Sequence, residues 1–481
     1  MADRFTNTAV SRLIQRTIID WIECPNNIWK WFMPTSDLIV SVSGIRGIIG
    51  ESLTPDAAVR FACALGTYMK GGKIILARDS RASGDMLRHA ILGGLFATGC
   101  RVEDIGIAPT PTVGIAVRQL QAAGAIQITA SHNPSPWNGL KMFGADGAVL
   151  PAAKGLEIKK LFETQAFRLS PWNEMGSVGV PPDVQAEHAE MVLEHVSVAT
   201  VAGGQFRVFL DGNGGAGGPL GAKLLTDLGC EVVQHNCEAN GIFAHEPEPT
   251  PAHLVDVAPW VKQTGSHIGF VLDPDSDRLS IIDETGTCIS EEITLALAVK
   301  YRLRQQRGPV VANMSTSRMS EDIATFAGCE FHRSAVGEAN VVEKMRAVQA
   351  VIGGEGNGGV IDPRVGWVRD PFIGMALILS LMAEEKKPLS EIVATLPKYE
   401  MLKTKFTVTK ERLAESLSKL ESSWPNVKVN RIDGLRIDGP DWWLHVRGSN
   451  TEPVVRVIAE SPTAEQTAKL CEEAGRLLTS E

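Results

Sequence analysis

Short apolar runs recur along the chain, each ending in a polar or glycine-bearing stretch. Leu38-Ile39-Val40-Ser41-Val42, Lys73-Ile74-Ile75-Leu76-Ala77, Val102-Glu103-Asp104-Ile105-Gly106-Ile107 and Gly124-Ala125-Ile126-Gln127-Ile128 are of strand type. Helix starts fall between them. Thr54-Pro55-Asp56 offers a cap followed by proline at the first helical position, and Ser83-Gly84-Asp85 opens another helix. Strand–loop–helix units of this length predict an α/β fold built on a mainly parallel, covered sheet.

The rhythm repeats further on. A helix over 184–196 leads into a second unit with strands at 206–210 and 268–272. A third begins with an apolar helix at 293–299, has strands at 309–312 and 350–352, and continues in a helix over 372–383. A fourth has an alternating strand at 442–447, another at 454–459 and a last helix from Thr463, which suits a small α+β domain. A chain of 481 residues exceeds what one core can organise. The expected organisation is an extension over 1–36 and domains over 37–190, 191–290, 291–398 and 399–481.

The extension differs from the rest. Trp21, Trp29 and Trp31 accompany Leu13, Ile14, Ile18, Ile19 and Ile22 at roughly helical spacing, while Asp20 and Glu23 spoil a targeting peptide. Two readings stay open: an amphipathic segment that docks on the body or a partner, or a start at Met33.

A net charge of −9 argues against general nucleic-acid or membrane-surface binding, yet leaves room for a basic pocket that takes a small anion. The eight cysteines show no CxxC or zinc-type spacing and read as reduced, mostly buried thiols of a cytoplasmic protein. No apolar run reaches membrane-spanning length.

Against that background, four polar loops stand out. The strand at 124–128 runs into Thr129-Ala130-Ser131-His132-Asn133-Pro134, which puts a hydroxyl on a tight turn at the carboxyl end of a buried strand, where α/β sheets bind ligands. Asp273, Asp275 and Asp277 follow another buried strand. Alternate residues of an extended segment point the same way, so three carboxylates are expected to converge and to need a hard cation such as Mg²⁺. Arg278 at the sixth position excludes an EF-hand loop. Glu355 and Asn357 sit in a glycine-flanked loop, exposed enough to meet sugar hydroxyls. Arg447-Gly448-Ser449-Asn450-Thr451 gathers a guanidinium, hydroxyls, an amide and turn N–H groups, an anion cradle. Arg46 and Arg78 each follow a strand and would share the pocket of Ser131 if their strands neighbour its own. Lys141 could reach back as an acid/base group. A serine beside a Mg²⁺ site suits phosphoryl transfer better than acyl transfer.

At these loops the chain resembles the α-D-phosphohexomutase family over about residues 38–480, most closely the archaeal-type phosphoglucosamine mutases. The resemblance implies three similar mixed-sheet α/β domains and a smaller α+β domain around a central cleft. It implies Ser131 carried as phosphoserine, with Mg²⁺ held by its phosphate, Asp273, Asp275 and Asp277, and a hexose bisphosphate as intermediate and activator. Arg46, Lys141 and Arg278 match positions that assist transfer. Arg447, Ser449, Asn450 and Thr451 match the loop that holds the non-reacting phosphate, and Glu355 and Asn357 match the sugar-selecting loop. The substrate implied is a sugar phosphate, glucosamine phosphate before mannose or glucose phosphate, and the protein a monomer or homodimer.

One departure matters: many bacterial members carry a histidine, a proposed acid/base group, where Gly359 stands. That leaves Lys141 or His132 to handle the proton. Rival readings are a serine hydrolase using Ser131 and His132, which lacks a GxSxG elbow, and a non-catalytic sugar-phosphate sensor.

Overall fold

The computed structural model describes residues 38–408, 410–424, 427–448 and 454–479. Its strands form four sheets. The first contains β1 (Ile39–Ser41), β2 (Gly44–Ile48), β3 (Ile74–Arg78), β4 (Arg101–Ile107), β5 (Gly124–Ile128), β6 (Trp137–Gly144) and β7 (Ser177–Gly179), in the order β1-β2-β6-β5-β3-β4-β7. Pairing from β5 to β7 is parallel, whereas β1, β2 and β6 pair antiparallel. The sheet is therefore mixed, not mainly parallel. The return strand β6 lay hidden in a stretch whose Asn138 and Gly139 look like loop residues. Arg46 also moves, from a loop to the middle of β2.

The second sheet contains β8 (Arg207–Asp211), β9 (Glu231–His235), β10 (Ile268–Leu272) and β11 (Leu279–Asp283), ordered β11-β10-β8-β9. The third contains β12 (Val310–Asn313), β13 (Phe331–Ser334), β14 (Ile352–Glu355) and β15 (Gly359–Ile361), ordered β13-β12-β14-β15. One rule unites the three. In each, a buried parallel strand passes through a short loop into an antiparallel return strand: β5 to β6, β10 to β11, β14 to β15. Those three loops carry Ser131, the aspartates, and Asn357. A ladder grips each loop at both ends, so its side chains are positioned by sheet hydrogen bonds.

The fourth sheet is wholly antiparallel: β16 (Glu400–Thr407), β17 (Lys428–Asn430), β18 (Leu435–Asp438), β19 (Trp443–Gly448) and β20 (Val454–Ser461), ordered β16-β20-β19-β18-β17. It has its own core of Leu420, Leu435, Val446, Val457 and Leu470 among others, under the helix Ala464–Thr479. By contrast, one apolar core runs through the first three units. The helix Pro371–Glu385 lies within it, apolar on nearly every side as a fully packed helix must be. Asp370 caps it by accepting from the Phe372 and Ile373 amides, with Pro371 in the first turn. Thr54 caps the helix Pro55–Tyr68 as its sequence predicts. The helix expected over 184–196 stops at Leu193. Among the described residues no helix is long and apolar enough to cross a membrane, and the seven described cysteines are free, five of them buried.

Candidate active site

Ser131 is 4% exposed and holds a left-handed backbone, φ 52°, which costs a non-glycine residue about 1–2 kcal/mol. Its neighbours enforce that shape. The Ser131 amide donates to Thr129 Oγ1 at 2.8 Å, and the Ser131 carbonyl accepts from Arg81 Nη2 at 2.6 Å. Arg81 also donates to the carbonyls of Asn133 and Pro134, at 2.7 and 3.0 Å. Asp79 fixes Arg81 in turn, accepting from its Nε at 3.0 Å and from Thr129 Oγ1 at 2.7 Å. Phe243 of the second unit stacks on the guanidinium. The arginine that shapes this loop is thus Arg81. Among the described residues, the side chain of Arg78, singled out in the sequence, donates to the Asp79 carbonyl at 3.3 Å and to no part of the serine loop. An Asp-x-Arg pair just past a buried strand was the available signal.

Ser131 Oγ lies 3.4 Å from Asp273 Oδ2 and 3.3 Å from His132 Nδ1. Asp273, Asp275 and Asp277 are fully buried, and each brings a carboxylate oxygen within 4.8 Å of the others. They converge, but not as an extended segment. The chain turns at Ser276, whose φ is 52°, and the Asp277 and Arg278 amides donate back to Asp273 Oδ1 at 3.0 and 3.1 Å. Oδ2 of Asp275 accepts from Thr110 Oγ1 at 2.8 Å and from Lys141 Nζ at 3.2 Å. Oδ2 of Asp277 accepts from Lys141 Nζ at 2.9 Å and Arg369 Nη2 at 2.5 Å.

The oxygens left over are informative. Oδ1 of Asp275 and Oδ1 of Asp277 are buried without a hydrogen-bond partner. Each aspartate thus has one oxygen tied by protein donors, while Asp273 turns its other oxygen to Ser131 Oγ. Unpaired buried carboxylate oxygens are costly, and a hard divalent cation at this point satisfies them. The cluster fits a metal such as Mg²⁺. Its charge is strained without one: burial, then Asp277 and Asp275, push the Asp273 carboxyl well above the carboxylate range. Burial opposes ionisation of Asp277 too, but Arg369, Lys141 and Arg278 outweigh it and hold that carboxyl below the usual range. Burial also works against the Lys141 ammonium, yet Asp275 and Asp277 raise its pKa. Burial, reinforced by Arg278, pushes the His132 imidazole down to about 3.

Arg278 donates to Glu248 Oε1 at 3.1 Å, and its Nε lies 4.0 Å from Asp273 Oδ2 and 3.9 Å from Asp277 Oδ1. Arg46 Nη1 donates to Asn133 Oδ1 at 2.8 Å, so it steadies the serine loop from β2. Glu355 departs from the sequence reading. It is 5% exposed and both its oxygens are engaged, Oε1 by Asn313 Nδ2 and the Gly337 amide, Oε2 by Arg369 Nη1. Asn357 Oδ1, two residues on, is buried without a partner.

A cleft of about 590 Å³ takes its lining from all four units: Arg46 and His132, then Glu248 and Arg278, then Asn313, Ser315, Glu355 and Asn357, then Lys403, Lys405, Arg447 and Arg456. Arg447 Nε donates to Asp433 Oδ1 at 3.3 Å. Ser449, Asn450 and Thr451 lie outside the described residues. Two cations that the sequence analysis passed over stand beside Arg447. Arg456 on β20 is registered opposite both Arg447 on β19 and Lys405 on β16. Like charges placed directly across strands repel, and an anion in the cleft would relieve that repulsion.

Glu292, on the cleft wall, gives a pH prediction. Its Oε2 accepts from the Ser317 amide at 2.9 Å and its Oε1 lies 3.4 Å from Lys403 Nζ. Burial nevertheless pushes its carboxyl up from 4.5 to about 8. The folded protein therefore keeps a proton there that the unfolded chain releases, and this residue's contribution to stability falls as pH rises from about 4.5 to about 8. The thermal midpoint of wild type minus that of Glu292→Gln is expected to decrease over that interval. A difference independent of pH would refute the shifted carboxyl.

Comparison with known proteins places the molecule. The chain matches all four domain descriptions of one family, Phosphoglucomutase/phosphomannomutase: alpha/beta/alpha domain I over residues 37–169, domain II over 186–286, domain III over 290–399 and the C-terminal domain over 404–476. It belongs to that family. A "Probable phosphoglucosamine mutase" of Pyrococcus horikoshii is 34% identical over 443 residues, 91% of this chain and 97% of that protein. A "Phosphoglucomutase/phosphomannomutase" of Thermococcus kodakarensis is 35% identical over 443 residues, 90% of this chain and 97% of its own length. A crystal structure of a phosphoglucomutase/phosphomannomutase family protein from Burkholderia thailandensis superposes with a TM-score of 0.80 at 28% identity, covering 92% of this chain and 97% of the other.

Proposed function

We propose that the protein is a phosphohexomutase that interconverts hexose 6-phosphate and 1-phosphate, with glucosamine phosphate as preferred substrate. The observation that carries it is Ser131 Oγ, 3.4 Å from Asp273, at a carboxylate cluster with two oxygens free of hydrogen bonds, next to His132, which lines a cleft shared with Arg447, Arg456 and Lys405. Ser131 is the phosphoryl carrier. Asp273, Asp275, Asp277 and the Ser131 phosphate hold Mg²⁺, which when bound neutralises charge that develops on the transferring group. The P–Oγ bond of phosphoserine breaks as a bond forms from phosphorus to a sugar hydroxyl oxygen, and that hydroxyl's proton ends on Ser131 Oγ. The resulting hexose bisphosphate then returns its other phosphoryl to Ser131 Oγ, and the serine proton passes to the sugar oxygen released.

His132 Nδ1, within reach of Oγ, is the group placed to relay the proton. Lys141, shared between two carboxylates, and Arg278 supply fixed positive charge, and Arg46 holds the serine loop. Arg447, with Ser449, Asn450 and Thr451, holds the phosphate that does not react, and Asn357 faces the sugar from a loop that Glu355 anchors. The archaeal relatives named for phosphoglucosamine support the amino sugar. The similar relative named for glucose and mannose phosphates favours those sugars as the second reading. Turnover of the 1- and 6-phosphates of glucosamine, glucose and mannose, each primed with its bisphosphate, decides between them. Glucosamine phosphate is expected to give the highest kcat/KM, and no turnover of any of the six would refute a mutase.

A further inference from the structure

We propose, resting on the mutase reading, that Arg369 is a positioning residue that locks the aspartate loop to the sugar loop and takes the space a side chain at position 359 would need. Its Nη2 donates to Asp277 Oδ2 and its Nη1 to Glu355 Oε2 at 3.1 Å, so one planar fork joins β10–β11 to β14–β15. The Arg369 amide donates to Glu338 Oε1 at 2.6 Å, and Nε lies 3.8 Å from Glu338 Oε2. The residue is 8% exposed. A Cβ built on Gly359 would overlap Arg369 Cδ and crowd Cγ. Glycine at 359 is therefore the counterpart of arginine at 369. A loop histidine and this guanidinium exclude one another.

The fork cannot drift. Asp370, its neighbour, donates its amide to the Val360 carbonyl at 2.7 Å and caps the buried helix Pro371–Glu385. Asp370 Oδ2 is 2.8 Å from His188 Nε2, and His188 Nδ1 is 2.9 Å from Thr112 Oγ1. Three elements thus fix the backbone that delivers Arg369. By occupying Oδ2 of Asp277 it leaves Oδ1 as the oxygen free for a cation. By occupying Glu355 it makes that carboxylate part of the frame. A guanidinium stays protonated, so it supplies charge and shape and no proton. A lysine has a single nitrogen and lacks the planar fork whose two nitrogens here reach Asp277 and Glu355 separately.

The test compares wild type, Arg369→Ala, Arg369→Lys, Gly359→Ala and the Gly359→Ala/Arg369→Ala double variant. The measurements are Mn²⁺ affinity by titration, kcat and KM separately, and phosphate occupancy of Ser131 by intact mass. Arg369→Ala and Arg369→Lys are expected to weaken Mn²⁺ binding and lower kcat by about 10–100-fold, with KM little changed. Gly359→Ala should reproduce this by displacing the guanidinium, and should add less than about twofold once Arg369 is already alanine. Wild-type Mn²⁺ affinity and kcat in Arg369→Ala, or fully additive effects, would overturn the inference. If Arg369→Ala fails to fold, unchanged metal affinity in Arg369→Lys and Gly359→Ala overturns it equally. A wild type that lacks both turnover and phosphate on Ser131 would instead sink the mutase reading.

Discussion

Ser131→Ala is expected to lower turnover by about 10⁴-fold or more and to remove one phosphate from the intact mass, while sugar-phosphate binding survives. The separation follows from where the oxygen sits. Ser131 Oγ makes no contact that the fold needs: its neighbours are His132 Nδ1 at 3.3 Å and Asp273 Oδ2 at 3.4 Å, both long. The loop's shape rests on the Ser131 main chain, through Thr129 Oγ1 and Arg81, and alanine keeps both of those bonds. The left-handed backbone strain is the same for alanine and serine, so stability should barely change. The Arg447–Arg456–Lys405 row lies in another domain and is untouched by the substitution. A protein without the hydroxyl therefore binds and does not transfer. If Ser131→Ala turned over at the wild-type rate, or kept the extra mass, the carrier would be elsewhere. A hydrolase would show phosphate-free wild type and labelling of Ser131 by an organophosphate.

What the sequence made legible, and what it hid, divides along one physical line. Ser131, the aspartates and Arg447 sit at ends of apolar strands, and an abrupt change from apolar to polar shows in a one-dimensional pattern. The return strands β6, β11 and β15 were not legible. They are buried on both faces along nearly all their length, and alternation therefore fails. Lys141, for which no strand was expected, lies on β6, and Arg46, expected just past a strand, lies on β2. The aspartates were expected to converge by alternation. They do converge, but through a turn with a left-handed Ser276, which depends on amides reaching back to Asp273. Arg81 and Arg369 were missed for a different reason. A buried arginine is defined by the carbonyls and carboxylates it gathers from distant segments. Arg81 carries one local mark, Asp79 two residues before it at the end of a buried strand, whereas Arg369 and its partner Glu338 lie far apart in the chain.

Asp277→Ala is expected to destabilise the metal-free protein by about 3–5 kcal/mol and to abolish the response to Mg²⁺. One oxygen of Asp277 answers two buried cations, Lys141 at 2.9 Å and Arg369 at 2.5 Å. Removing it leaves Lys141 with Asp275 alone, and Arg369 with Glu355 and Glu338. These charges are out of water, so the loss is dominated by uncompensated burial rather than by a missing contact, and salt will not screen it. Asp275→Asn makes the useful contrast. Asp275 Oδ2 meets one cation and a hydroxyl, and asparagine can keep an oxygen for Thr110. It should cost less stability than Asp277→Ala while losing a comparable share of metal-assisted rate, about 10³-fold for several kcal/mol of lost charge stabilisation. Urea unfolding in EDTA measures the first effect; Mg²⁺ titration of both midpoint and rate measures the second. Wild-type midpoints with Asp277→Ala, or an undiminished Mg²⁺ shift, would mean that this carboxylate neither anchors Lys141 and Arg369 nor faces the ion. The two readouts separate because the two oxygens of Asp277 have different work: Oδ2 holds Lys141 and Arg369, and Oδ1, buried without a hydrogen bond, is left for a cation the protein must acquire.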